Sequence, residues 1–93
     1  MLLDLNFKLR NLDGKEFNDP EVSKVLANAM VMASSKSNDA LKMFSLAKKL
    51  HEEGSITIDL ADLTLIKNFV KGHDAFPIIF AASILEKIEN LKS

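Results

Sequence analysis

Residues 3 to 10 alternate without a break: Leu3, Leu5, Phe7 and Leu9 fall on one side, Asp4, Asn6, Lys8 and Arg10 on the other. Successive side chains of an extended chain point to opposite faces, so this period of two belongs to a strand with one dry face and one wet face. No helix would bring those four apolar residues together. The amino-terminal region is therefore committed to a sheet, and the rest of the chain must cover its dry side.

The segment "NLDGKEF" turns the chain back, and its register follows from which face Phe17 must join. A two-residue Asp13-Gly14 turn would set Phe17 opposite Arg10, on the wet face. A three-residue loop Leu12-Asp13-Gly14, with Gly14 in the left-handed conformation, sets Phe17 opposite Leu9 and buries the ring. A short second strand, roughly Lys15 to Asn18, is expected.

Beyond it the period changes to that of helices. Asp19 can cap the first, Pro20 suits its first position and Glu21 the positive end of its dipole. Val22, Val25, Leu26, Ala29, Met30 and Ala33 make one stripe. "SSKSND" ends that helix and opens a second, with Ser37 or Asn38 as cap. There Ala40, Met43, Phe44, Ala47, Leu50 and His51 share a face, and Gly54 closes the helix in the left-handed conformation. "SITID" reads as a third strand, Ile56 and Ile58 inward and Thr57 outward, pairing with the first strand. Asp59 caps a third helix whose apolar side is Leu63, Ile66, Phe69 and Val70 and which Gly72 closes. Asp74 caps a fourth, with Pro77 tolerated in its first turn. The expected order is ββααβαα: a single α+β domain over residues 1–93, two-layered, with about four helices on one side of a small antiparallel sheet.

The totals exclude several classes of function. The chain has no cysteine, so neither a disulfide framework nor a thiolate metal site is available, and a reducing compartment is expected. Twelve basic residues are interspersed among thirteen acidic ones, with no block of like charge. That leaves no basic tail for nucleic acid and no patch for an anionic membrane. The longest uncharged apolar stretch near the carboxyl end, "AFPIIFAASIL", runs for eleven residues, whereas a spanning helix needs about 20. "MLLDLNFK" has an acid at position 4 and no basic leader region, so no secretory signal is expected. The expectation is a protein of the cytoplasm.

No constellation of catalytic residues emerges. His51 and His73 lack the spacing that sets two imidazoles on one metal. His51 falls on the apolar face of its helix, where packing at the core edge is the simple reading, and Glu52 and Glu53 point to water. His73 is a loop residue between helices. No serine lies in a nucleophile elbow, and the three glycines all serve turns or helix ends. No catalytic residue, cofactor or metal is expected. Two consecutive helices raise the alternative of a small DNA-binding regulator. The "SSKSND" connection is longer than a helix-turn-helix turn, and Lys42, Lys48 and Lys49 are offset by Glu52 and Glu53, so nucleic acid is not expected as a direct partner.

What remains is surface for another protein. On the fourth helix Ala81, Ile84, Leu85, Ile88 and Leu91 form a core stripe, and Phe76 and Ile79 project to the other side. On the first, Val31 lies opposite the core stripe with Met32 at its flank. Phe76, Ile79, Val31 and Met32 are thus the candidate partner-binding residues. Another part of this chain, a second copy in a homodimer, or a different protein would cover them.

The segments "LDLNFKLRNLDGKEF", "KVLANAMVMASS" and "DALKMFSLAKKLHEEGSITIDLADLTLIKNFV" together resemble a set of small phage and prophage proteins of unassigned function. That set shares a hairpin with "DG", a "KxLANxL" helix (here with Met30 at the last leucine), a "DALKxxxxAxxL" helix and an "IKxFV" segment. The resemblance implies a phage source, a bacterial host cytoplasm and one of two roles. One is a virion or tail-assembly accessory protein, whose partner is a phage structural protein. The other is a counter-defence protein, such as an anti-CRISPR inhibitor that binds a host defence nuclease.

Overall fold

The structure is a computed structural model that describes residues 1–17, 20–33 and 40–91. Its elements are β1 (Leu2–Asp4), α1 (Val22–Met32), α2 (Ala40–Glu53), β2 (Ser55–Thr57), α3 (Leu60–Gly72) and α4 (Ile78–Leu91). Among the described residues the class is α+β with four helices, but the order is βααβαα and the sheet has two strands rather than three.

β1 and β2 pair antiparallel, with Leu3 opposite Ile56, as the sequence led us to expect of the first strand and the "SITID" strand. Leu3, Leu5, Ile56 and Ile58 are buried. Leu2, Asp4 and Thr57 on the other face are exposed, so helices cover one side of the ribbon only. The alternation at residues 3–10 holds at the level of side chains: Leu3 and Leu5 are buried, Phe7 and Leu9 half-buried against the core, and the four polar residues exposed.

The strand itself stops at Asp4, and the hydrogen bonds show why. Asp4 Oδ1 accepts from the Asn6 amide at 3.0 Å, a local side-chain bond that bends the chain out of the ladder. Beyond it the Leu5 and Phe7 carbonyls accept from the amides of Ser23 (3.0 Å) and Val22 (2.7 Å), the first turn of α1. A helix start has unpaired amides that need acceptors, and here main chain supplies them. Among the described residues no side chain caps α1, which begins at Val22 after Glu21 rather than at Pro20. Asp19 lies outside the described residues, as do Ser37 and Asn38.

With the first strand drawn off to α1, Lys15 to Phe17 do not form a strand, and Asn18 lies outside the described residues. Its register is nonetheless the expected one. Arg10 and Glu16 form an isolated bridge, the Asn11 amide donates to the Lys15 carbonyl, and the Phe17 amide donates to the Leu9 carbonyl at 2.9 Å. Gly14 takes φ +91°, as the three-residue loop requires.

The helix faces are rotated slightly from those expected. α1 buries Val22, Ser23, Leu26, Ala27 and Met30, with Val25, Ala29 and Ala33 half-buried. α2 packs along its Ala27 side, so the contact stripe swings toward Ser23 and Ala27. α2 buries Met43, Leu46, Ala47 and Leu50, because it must meet both α1 and β2. Phe44 and His51, expected inward, are exposed. α3 keeps its expected start and face, with Asp59 accepting from the Asp62 amide at 2.8 Å, Leu63, Ile66 and Val70 buried and Phe69 half-buried, but it runs through Gly72 to a C-cap at His73.

α4 begins three residues later than the Asp74 cap implied. Residues 74 to 76 form a turn, and the Pro77 carbonyl receives the first amides, from Phe80 and Ala81 at 3.1 Å each. Its buried stripe is Phe80, Ile84 and Ile88, with Ala81, Leu85 and Leu91 half-buried. Salt bridges tie α2 to α3 (Lys42–Asp62, 2.8 Å) and α3 to α4 (Lys67–Glu89, 3.4 Å). No helix among the described residues is long and apolar enough to cross a membrane.

Candidate functional site

The four candidate residues separate into three places. Phe76 is not on the α4 helix face but in the turn before it, half-buried against the core. Its ring lies 4.3 Å from that of His73 and 4.6 Å from that of Phe80, and Phe69 stacks on His73 at 5.2 Å. Ile79 stands apart from this ring column, half-buried on the first turn of α4, where its carbonyl accepts from Ser83 Oγ at 2.7 Å. Its neighbour Ile78 is 87 % exposed. The shared face expected of Phe76 and Ile79 fails because the helix starts after Phe76, so the two do not lie on one helical wheel.

Val31 and Met32 close the carboxyl end of α1, and both are exposed, at 44 % and 83 %. They do not stand alone. Leu41 and Phe44 at the start of α2 are 84 % and 54 % exposed. Val31 lines a shallow seam of about 150 Å³ between α1 and α2, across from Ala47 and Lys48. The Lys48 ammonium in turn lies 5.8 Å from the Phe44 ring centroid, so the ring sits beside the same seam. The end of the α1–α2 pair thus gathers four large apolar side chains with one cation at their border.

His51 also faces this seam, together with Glu52. It is exposed and does not pack in the core as its helical position suggested. The contact side of α2 is centred on Met43 and Leu50, and His51 falls beyond its Ala47 edge, at the rim. No serine among the described residues lines the seam beside the imidazole to act as a nucleophile. Among the described residues no cluster of His, Asp or Glu side chains is placed to hold a metal ion.

Two further concavities flank α1 and α4. A polar groove of about 490 Å³ runs between the hairpin and α4. Lys8, Arg10 and Lys87 share it with Glu16 and Glu86, so its charge is mixed. Arg10 is occupied internally by Glu16 (3.1 Å) and the Gly14 carbonyl (3.0 Å), and Lys87 lies 5.1 Å from the Phe7 ring centroid. The other concavity, about 380 Å³, lies between the α3–α4 turn and the start of α1. One wall is His73, Ala75, Phe76, Pro77 and Phe80, and the other is Leu9, Pro20, Val22 and Val25.

Sequence reasoning missed Leu41 and Phe44 as surface and His73 and Phe80 as partners of Phe76. The ring column carries a legible signal: Phe69, His73, Phe76 and Phe80 are spaced four, three and four apart, a helical rhythm continued across the helix break. Leu41 and Phe44 carry a weaker one, an apolar pair three apart to the side of the Met43–Ala47–Leu50 stripe.

Set against known proteins, the chain matches no protein-family model, no curated protein and no solved structure.

Proposed function

We propose that this chain is a small non-enzymatic, phage-type protein that acts by binding another protein, and that the exposed end of the α1–α2 pair makes the contact. One observation carries the reading. Val31, Met32, Leu41 and Phe44 expose large apolar side chains at one end of one helical pair. Scattered exposed hydrophobes are ordinary, but several together, rimmed by polar residues such as Lys48, Asn28 and Glu52, mark an interaction surface. Phe44 supplies the aromatic anchor that interface centres favour.

The resemblance to small phage and prophage proteins sets the context: a phage structural protein in virion or tail assembly, or a host defence nuclease that an anti-CRISPR-type inhibitor would block. The test is a Met32→Ser/Phe44→Ser double variant beside wild type and a Lys8→Asp control, each used as bait in lysates of a phage-infected bacterial host. The expected result is one prey protein enriched by wild type and control and lost from the double variant, whose melting temperature stays near that of wild type. The identity of the prey, tail component or nuclease, separates the two contexts. Equal capture by all three baits would overturn the assignment of this surface.

A further inference from the structure

The cleft between the α3–α4 turn and the start of α1 involves none of the residues of the α1–α2 end. We propose that it is a binding site for a small uncharged aromatic molecule, one or two rings in size, with one hydrogen-bonding substituent.

Charge comes first. Among the described residues, no carboxylate, ammonium or guanidinium group lines the cleft. Apart from the His73 imidazole, the described walls offer an ionised ligand no partner in exchange for the hydration it would lose, so they favour neutral molecules. Size comes next. A volume of about 380 Å³ falls within the roughly 300–1,000 Å³ common for small-ligand sites. Dry apolar cavities of about 150 Å³ already hold benzene. The space therefore takes a ring with a substituent, and it is too small for a folded segment of protein.

The walls favour an aromatic over an aliphatic guest. Phe76 is tilted 48° to His73 and 55° to Phe80, and it meets Phe69 edge-on at 73°. Tilted and edge-to-face packing is what aromatic quadrupoles prefer, and a guest ring against the half-buried Phe76 extends the same array. Among the described residues His73 is the one lining side chain able to hydrogen-bond, which sets the guest's polar complement at a single group.

The cleft is also held open. Pro20 and Pro77 restrict the backbone on its two sides. Leu9 is pinned through its carbonyl to the Phe17 amide (2.9 Å), and α1 is pinned at Val22 to the Phe7 carbonyl (2.7 Å). Among the described residues no hydrogen bond spans from one wall to the other. A preformed apolar wall binds without the ordering cost that a collapsed one would impose.

The experiment is an NMR titration of the full chain with benzyl alcohol and, separately, with benzoate, the same ring bearing a charge. Saturable shifts are expected with benzyl alcohol, confined to signals of Val25, His73, Ala75, Phe76 and Phe80. Benzoate should bind about tenfold more weakly or not at all, the cost of an uncompensated charge. Ala75→Phe, a change in the exposed turn that places a ring in the cleft, should abolish the benzyl alcohol shifts. Equal binding of the two probes, shifts scattered over the surface, or no saturation with the unmodified chain would each overturn the proposal.

Discussion

At the scale of single residues, the positions that matter most are those where geometry leaves no choice. Gly54 ends α2 with φ +76°, and its amide donates to the Leu50 carbonyl at 2.9 Å. A Cβ at this position would come 2.8 Å from Asn6 Cβ and 2.9 Å from Asn6 Cγ, in the bend that redirects β1. Left-handed φ disfavours any side chain, and the clash adds to it. Gly54→Ala is expected to cost about 2–4 kcal/mol, a fall of many degrees in melting temperature for a domain of this size. Gly14→Ala, where nothing lies within 4 Å, should cost about 1 kcal/mol from the φ strain alone. Thermal unfolding of the two variants checks the contrast. His51 illustrates the opposite case. Exposed on the seam, it should give a change within about 0.5 kcal/mol on His51→Ala, measured by urea unfolding. A loss nearer 1–2 kcal/mol would restore the packing role that its helical position suggested.

At the scale of elements, the two starts of α1 and α3 show contrasting solutions to one problem. Asp59 caps α3 with its own carboxylate, the arrangement that sequence reading anticipates best. α1 takes its acceptors from Leu5 and Phe7 main chain, which no local pattern announces, because the acceptors lie 18 and 15 residues away in sequence. Glu21 sits at that junction with Lys24 Nζ at 3.8 Å. A hydrogen bond from its own amide, then Lys24 and more weakly Lys8, hold its carboxyl below the usual carboxylate range. A carboxyl whose folded value is depressed binds its proton more readily in the unfolded chain. Its contribution is therefore full above the unfolded value and is lost as pH falls through the folded one. The melting temperature of Glu21→Gln should accordingly fall below that of wild type at neutral pH and converge with it in acid. A difference independent of pH would remove the carboxylate from the account.

At the scale of the whole molecule, one core joins the ribbon to all four helices. Leu3, Leu5, Leu26, Leu50, Leu63, Ile66, Ile84 and Ile88 are fully enclosed in it. Leu5 lies at the junction of β1, α1 and β2. Burying a lone carboxylate there costs several kcal/mol, against a total stability of roughly 5–15 kcal/mol for domains of this kind. Leu5→Asp should unfold the protein, as judged by circular dichroism, whereas Lys8→Asp, on the wet side, should melt near wild type. The same packing decides what is left outside. Helices α1 and α2 spend their apolar faces on each other and on the ribbon, and at their ends Val31, Met32, Leu41 and Phe44 stay exposed.

Much of this architecture follows from sequence alone, because it rests on interactions between near neighbours. The two-residue period determined which of residues 3–10 face the core. The Leu12–Gly14 loop determined the register that sets Phe17 beside Leu9, and Asp59 and Gly54 determined where α3 starts and α2 stops. Tertiary structure decided the rest, wherever the partner of a group is remote. It ended β1 at Asp4 by giving the carbonyls of Leu5 and Phe7 to α1. It turned Phe44 and His51 outward because α2 must face two elements at once. It set Phe76 among rings in a turn instead of on a helix with Ile79. Local pattern states only that a residue is apolar. Whether it ends in the core, in a cleft or on the surface depends on how many apolar faces compete for one small ribbon.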